Sequence, residues 1–261
     1  MRVAIDLQPA YVLHTRDYRD TSLLIDLLTL DYGVLRAVAR GVRGHKRSQK
    51  RALLQPLQPL LVSLGGQGEL LNLNHAEAAA AVLPVTGVRL FSVMYLNEIL
   101  CRLLPVQESH PELYRLYQST LLALMHGCDL EAVLRRFEFR LLTELGYVPE
   151  MTIDASGEAR LLPTQWYQFD PRHGFVIAQN LAKELEAPVD ASLFYGSDIL
   201  GMATALTRPF DADFDQTHLQ HAKRLMRQAL RPLLGSRPLN SRRLFLSMNN
   251  ARRSLPTPDR Q

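Results

Sequence analysis

The segment Gly33-Val34-Leu35-Arg36-Ala37-Val38-Ala39-Arg40-Gly41-Val42-Arg43-Gly44-His45-Lys46-Arg47-Ser48-Gln49-Lys50-Arg51 decides how the first third of the chain folds. Gly33 to Ala39 alternates in the manner of a strand. From Arg40 to Arg51 there are two glycines, a single apolar residue and no helix or strand period, so a flexible loop is expected. Leu53-Leu54-Gln55-Pro56-Leu57-Gln58-Pro59-Leu60-Leu61-Val62-Ser63-Leu64 then resumes an extended apolar run. Between Asp31 and Glu69 no carboxylate occurs, while Arg36, Arg40, Arg43, Lys46, Arg47, Lys50 and Arg51 all do. Unopposed positive charge on a loop between two strands is suited to a phosphodiester backbone; a solvated surface loop is the plainer reading of the same run.

Outward from this segment the pattern stays β. Ala10-Tyr11-Val12-Leu13-His14 is a short extended piece, Thr21 to Thr29 is a buried strand, and Leu30-Asp31-Tyr32-Gly33 is a turn with glycine where positive φ is needed. Pro56 to Leu64 predicts a strand, Gly65-Gly66-Gln67-Gly68 a turn, and Glu69 to Ala76 the last strand. No Lys-Ser/Thr follows the glycines, so they are a hairpin turn and not a phosphate cradle. Five short strands fit a small closed barrel of the OB type over residues 1–80, with a partly open sandwich as the alternative.

Past Ala76 the composition turns to helix formers, and Leu83-Pro84 marks a boundary. Val88, Phe91, Met94, Tyr95, Ile99, Leu100 and Leu103 form a first apolar stripe, ended by Pro105. Leu113, Leu116, Tyr117, Leu121 and Leu124 form a second; a third helix runs from the N-cap Asp129 to Gly146, with Arg135, Arg136 and Arg140 on its polar side beside Glu131 and Glu138. Residues 147–178, punctuated by prolines and glycines, predict a loop-rich β insert, and 190–207 another helix. The whole is α+β: a barrel, then a mainly helical domain over 81–248, then a disordered tail over 249–261.

From Gln216 to Pro258 there is again no carboxylate, while Lys223, Arg224, Arg227, Arg231, Arg237, Arg242, Arg243, Arg252 and Arg253 are present. Sixteen of the 30 Lys and Arg thus lie in two acid-free windows of a chain whose net charge is only +4, which argues for a local polyanion site. Lys223, Arg227 and Arg231, four residues apart, make one ridge on a helix.

Other chemistries lack a signature. The eight histidines are scattered without metal-ligand spacing, Cys101 and Cys128 make no CxxC pair, and no GxSxG, Walker A or dinucleotide fingerprint occurs, so neither metal, cofactor nor catalysis is expected. No apolar run is long enough to span a bilayer and no signal core opens the chain; a soluble, cytoplasmic protein is expected, without a membrane partner.

Val12-Leu13-His14-Thr15-Arg16, Asp20-Thr21-Ser22-Leu23, Ala39-Arg40-Gly41-Val42-Arg43 and Leu54-Gln55-Pro56-Leu57 resemble the opening domain of the bacterial recombination mediator family RecO. Tyr95-Leu96-Asn97-Glu98-Ile99-Leu100, Leu134-Arg135-Arg136-Phe137-Glu138, Leu145-Gly146-Tyr147 and Ser241-Arg242-Arg243-Leu244-Phe245 continue the match, and the residues before Ala10 extend beyond the family's usual start. The resemblance implies an OB fold followed by a helical domain. It implies binding of single- and double-stranded DNA, ATP-independent annealing, and work with RecR to load RecA onto DNA coated by single-stranded-DNA-binding protein, hence association with the nucleoid. Some members hold zinc with four cysteines after the Leu-Gly-Tyr motif; Ile153, Asp154, Ser156 and Gly157 stand here instead, so no zinc is expected.

On these grounds Arg36, Arg40, Arg43, Lys46, Arg47, Lys50, Arg51, Arg231, Arg242 and Arg243 are the expected DNA contacts. Arg135, Arg136, Lys223, Arg224 and Arg227 are the expected dock for the acidic tail of the single-stranded-DNA-binding protein. The rival is a protein adaptor that docks acidic tails and touches DNA only incidentally.

Overall fold

A computed structural model describes residues 2–42, 49–148, 150–178 and 192–244 of the chain. They fall into two compact units, Met1–Met125 with Arg237–Gln261 and His126–Ser236. The boundary expected near residue 80 falls inside the first.

The first unit is built on five strands, β1 (Arg2–Tyr18), β2 (Ser22–Thr29), β3 (Gly33–Ala39), β4 (Leu60–Gln67) and β5 (Leu70–Ala78), closed in the order β1-β2-β3-β5-β4. Every pairing is antiparallel except β3 with β5, where Arg36, Ala37 and Val38 lie opposite Leu70, Leu71 and Asn72. The connection between those two runs through α1 (Gln49–Leu53) and β4, long enough for a parallel pair. This is an OB-like barrel, as the strand count and spacing predict.

β1 is far longer than the expected Ala10–His14. Its first half pairs with β4 and its second with β2, and two irregularities bend it between them. Pairing skips Leu13 between Val12↔Leu27 and His14↔Asp26, and skips Asp6 and Leu7 between Ile5↔Leu64 and Gln8↔Val62. Leu7 at φ 42 and Pro9 break the alternation, which hid this half from a period count. β4 in turn begins at Leu60, not Pro56, because Pro56 and Pro59 have no amide to give a ladder and Leu57 sits at φ 72. At the β2–β3 turn Gly33 has φ 64 and a Cβ there would lie 1.7 Å from the Glu108 carbonyl oxygen, so only glycine fits.

Inward residues such as Val12, Ile25, Leu27, Leu35, Val62 and Leu71 fill the barrel, with Leu54 closing one end. The alternate positions of β1–β3, among them Tyr11, Leu13, Leu24, Leu28 and Val34, are buried too. Two helices of the same unit, α2 (Gly87–Leu103) and α3 (Pro111–Met125), pack against β1 and β2. Asn97 donates to the Leu13 carbonyl at 3.0 Å and accepts from Tyr117 Oη at 2.6 Å, while Tyr11 packs against Tyr114 and Tyr117. The buried side of α2 is Ser92, Val93, Leu96, Asn97, Ile99 and Leu100; Met94, on the expected stripe, is exposed. With apolar residues on nearly every side, periodicity alone blurs the buried face: Ile99 and Leu100 lie on it as expected, while Val93 and Leu96, also buried, fall outside the expected stripe.

The second unit packs α4 (Leu130–Glu144) against α5 (Gly196–Thr207) and α6 (Gln216–Leu234). Asp129 caps α4 by accepting from the Ala132 amide, and Asp215 caps α6 by accepting from the Thr217 and His218 amides. A small sheet is ordered β7 (Gly174–Ile177), β6 (Trp166–Asp170), β8 (Leu193–Tyr195); Phe169, Phe175 and Phe194 pack on one another across it, and Phe194 meets His221 of α6 edge-on. Leu193–Tyr195 corrects the helix expected from residue 190: paired with Trp166–Gln168 it is a strand, and the helix starts at Gly196. The tail expected over 249–261 lies outside the described residues, none of whose helices is long and apolar enough to cross a membrane.

Candidate nucleic-acid interface

One end of the barrel gathers cations. The Val42 amide donates to the Thr21 carbonyl at 2.9 Å, which sets the β1–β2 turn beside the chain leaving β3. Arg40 stands there, exposed, held by an Asn72 carboxamide that accepts from its Nη2 at 3.0 Å. Lys50 and Arg51 are exposed on α1. Arg40 and Lys50 rim a cavity of about 90 Å³ floored by Leu53, Leu54 and Leu73, with His75 at its side. Arg43, Lys46 and Arg47, with His45, lie outside the described residues.

Arg36 is placed differently. It faces Asp26 across the β2–β3 ladder and donates from Nε to Oδ1 at 2.9 Å, with His14 3.7 Å from the other carboxylate oxygen. Burial would raise the Asp26 pKa, but His14 and Arg36 outweigh it and hold the carboxyl below its ordinary value. Much of the Arg36 charge is therefore already matched within the barrel. Conversely, Arg16 and Arg19 are exposed next to the β1–β2 turn, Arg19 with its guanidinium 5.2 Å from the Tyr18 ring centre. Asp17 and Asp20 flank them, so a search for acid-free windows passes over both.

The strand face that OB folds commonly offer to nucleic acid is β2–β3. In this chain α2 and α3 belong to the same unit and that face is buried. Tyr11 is 1% exposed inside the aromatic cluster, leaving Tyr32, 42% exposed, and the partly buried Tyr18 among the barrel tyrosines. Among the described barrel residues the exposed tyrosine is Tyr32, against the exposed cations Arg16, Arg19, Arg40, Lys50 and Arg51.

The second basic window is divided between the units. Arg242 and Arg243 are exposed in a helical turn at 240–244 that belongs to the barrel's unit, while Arg227 and Arg231 are exposed on α6. Lys223 donates to Glu131 at 2.6 Å, and Arg224 lies 4.1 Å over the Phe194 ring with its Nη2 donating to the Leu193 carbonyl. Arg135 pairs at 2.9 Å with Glu138, whose side chain is fully buried. Arg136, 0% exposed, donates to the carbonyls of Ala205, Phe210 and Asp213. Together with Arg140, which donates to the Thr207 and Arg208 carbonyls, it satisfies groups at the C-terminus of α5. Arg136 is thus a buried cap and leaves the set of surface contacts for an acidic tail.

Zinc does not fit the insert. At the positions compared with the family's cysteines, Ile153 bridges Arg160 and the one carboxylate, Asp154, already accepts from the Ser156 amide at 3.0 Å. Among the described residues no three His, Cys, Asp or Glu side chains converge as metal ligands.

The family described as Recombination protein O N terminal matches residues 1–82, and Recombination protein O C terminal matches 85–243. The first match begins at residue 1, so the residues before Ala10 lie inside the family's range, correcting the expectation that they precede it. The chain is 42% identical over 247 residues to the DNA repair protein RecO of Pseudomonas aeruginosa, covering 94% of this chain and 97% of that one. It is 39% identical over 235 residues to that of Pseudoalteromonas atlantica (90% and 92%), and 41% over 241 residues to that of Methylococcus capsulatus (92% and 93%). With both halves matched in order, the chain belongs to the RecO family of DNA repair proteins.

Proposed function

We propose that the chain binds single- and double-stranded DNA through the cationic end of its barrel and anneals complementary strands without ATP. With RecR it then helps to load RecA onto DNA coated by single-stranded-DNA-binding protein. The observation that carries this reading is the exposure of Arg40, Lys50 and Arg51 at one end of a barrel whose β2–β3 face is covered. Two strands repel through their phosphates; cations that neutralise both let base pairing proceed, and no nucleotide hydrolysis is needed. The exposed Arg227, next to Lys223 on α6, is the site we assign to the acidic tail of the coating protein.

Annealing of complementary oligonucleotides without ATP or metal, bare and coated, tests the proposal. Acceleration on both substrates is the expected result. Tail-peptide binding in moderate salt without any annealing would favour an adaptor instead.

A further inference from the structure

Residues 237–244 return to the barrel's unit and are fastened there by one carboxylate of α2. Glu98 Oε1 accepts from the Asn240 amide at 2.9 Å, and Oε2 accepts from the Ser241 amide at 2.9 Å and the Ser241 hydroxyl at 2.8 Å. Arg102 completes the clasp, donating to Glu98 at 2.7 Å, to the Arg237 carbonyl at 2.8 Å and to the Pro238 carbonyl at 3.0 Å. The amides at the start of a helical turn lack partners within it, and a carboxylate there satisfies them and opposes their positive end. Ser241 is buried by this contact, whereas the next two residues, Arg242 and Arg243, are exposed.

We propose that Glu98 is a positioning residue for DNA: by capping the turn it holds Arg242 and Arg243 at fixed places on the unit that carries the barrel cations, so that both meet phosphates. The inference rests on the DNA-binding reading above. Without the cap Arg102 still holds the Arg237 and Pro238 carbonyls upstream, but the turn that carries the two charges loses its own anchor, and ordering it on DNA costs conformational entropy that the clasp removes in advance. Glu98 itself touches no nucleic acid; an anion there would repel it.

The test is a salt titration of single-strand binding by the full chain, comparing Glu98→Ala, Glu98→Gln, the pair Arg242→Ala with Arg243→Ala, and Glu98→Ala combined with that pair. Loss of two phosphate contacts lowers the log–log slope by about 1.4. Glu98→Ala is expected to lose as much as the arginine pair, the combination no more than either, and Glu98→Gln, which keeps one acceptor, an intermediate amount. Limited trypsin digestion should show faster cleavage at Arg242 and Arg243 in Glu98→Ala. A parental slope in Glu98→Ala, or losses that add in the combination, would overturn the proposal. If Glu98→Ala does not fold, Glu98→Gln decides it: faster cleavage with an unchanged slope also overturns it. The triple variant Arg40→Ala, Lys50→Ala, Arg51→Ala separates the two readings. A lowered slope there with no effect at Glu98 refutes the clasp alone, and no effect in either refutes DNA binding by charge and the clasp with it.

Discussion

Asn97 on α2 donates to the carbonyl of Leu13 at 3.0 Å, and Leu13 is the residue that the β1–β2 ladder skips. The bulge strands a buried carbonyl, the helix supplies its donor, and Tyr117 closes the network by donating to the same carboxamide. A single side chain therefore ties the bend of the barrel to the helix layer that covers it. Asn97→Ala leaves the carbonyl and the phenol unsatisfied and should cost about 3 kcal/mol in denaturant unfolding. A cost below about 1 kcal/mol would show that the network is replaceable by water.

Arg136 predicts a comparable loss in the other unit. Its guanidinium satisfies three carbonyls from a position that solvent does not reach, and Arg136→Ala should destabilise by about 3 kcal/mol or more. Thermal melts of the full chain check this, and a melt unchanged from the parent would contradict the assigned cap.

Gly33→Ala forces a side chain onto a left-handed backbone and into the Glu108 carbonyl. We expect a loss of about 3 kcal/mol, read by unfolding, since neither contact is with a flexible side-chain tip. Near-parental stability would mean that the turn rearranges freely.

Acid should release the C-terminal segment. Burial alone would raise the Glu98 pKa, but the Ser241 and Asn240 amides, the Ser241 hydroxyl and Arg102 lower it below the ordinary value. A carboxylate with a depressed folded pKa contributes its full stabilisation above the unfolded value of about 4.3, and loses it as pH falls through the folded value. Hydrogen exchange at the Asn240 and Ser241 amides should thus keep its protection near neutrality and lose it only in acid below the ordinary carboxyl range, and Glu98→Ala should lose it at neutral pH. Undiminished protection of both amides in Glu98→Ala at neutral pH would show that Glu98 is not what holds them.

How much of this was legible follows from what each residue's pattern could express. The alternation of Gly33–Ala39, the glycine turn before it and the Asp129 cap are local signals, and each appears in place. β1 was half hidden because Leu7 and Pro9 interrupt it, and Leu193–Tyr195 is too short to show a period before the helix that follows. The barrel cations Arg40, Lys50 and Arg51 could be found from the missing carboxylates alone. What no window could show is pairing across long separations: Arg136 with the end of α5, or Glu98 with Ser241, 143 residues apart. Burial of Arg136 inverted a role that charge had suggested, because a polar residue on a helix is placed by what packs over it.

The grip of exposed cations at one barrel end on phosphates is the proposed basis of DNA binding. Its most direct test is the salt dependence of single-strand affinity for the parent and for the variant Arg40→Ala, Lys50→Ala, Arg51→Ala. Uniformly weaker binding across sequences and a slope smaller by about 2 are expected, three contacts at roughly 0.7 each. An unchanged slope and affinity at low salt would contradict it.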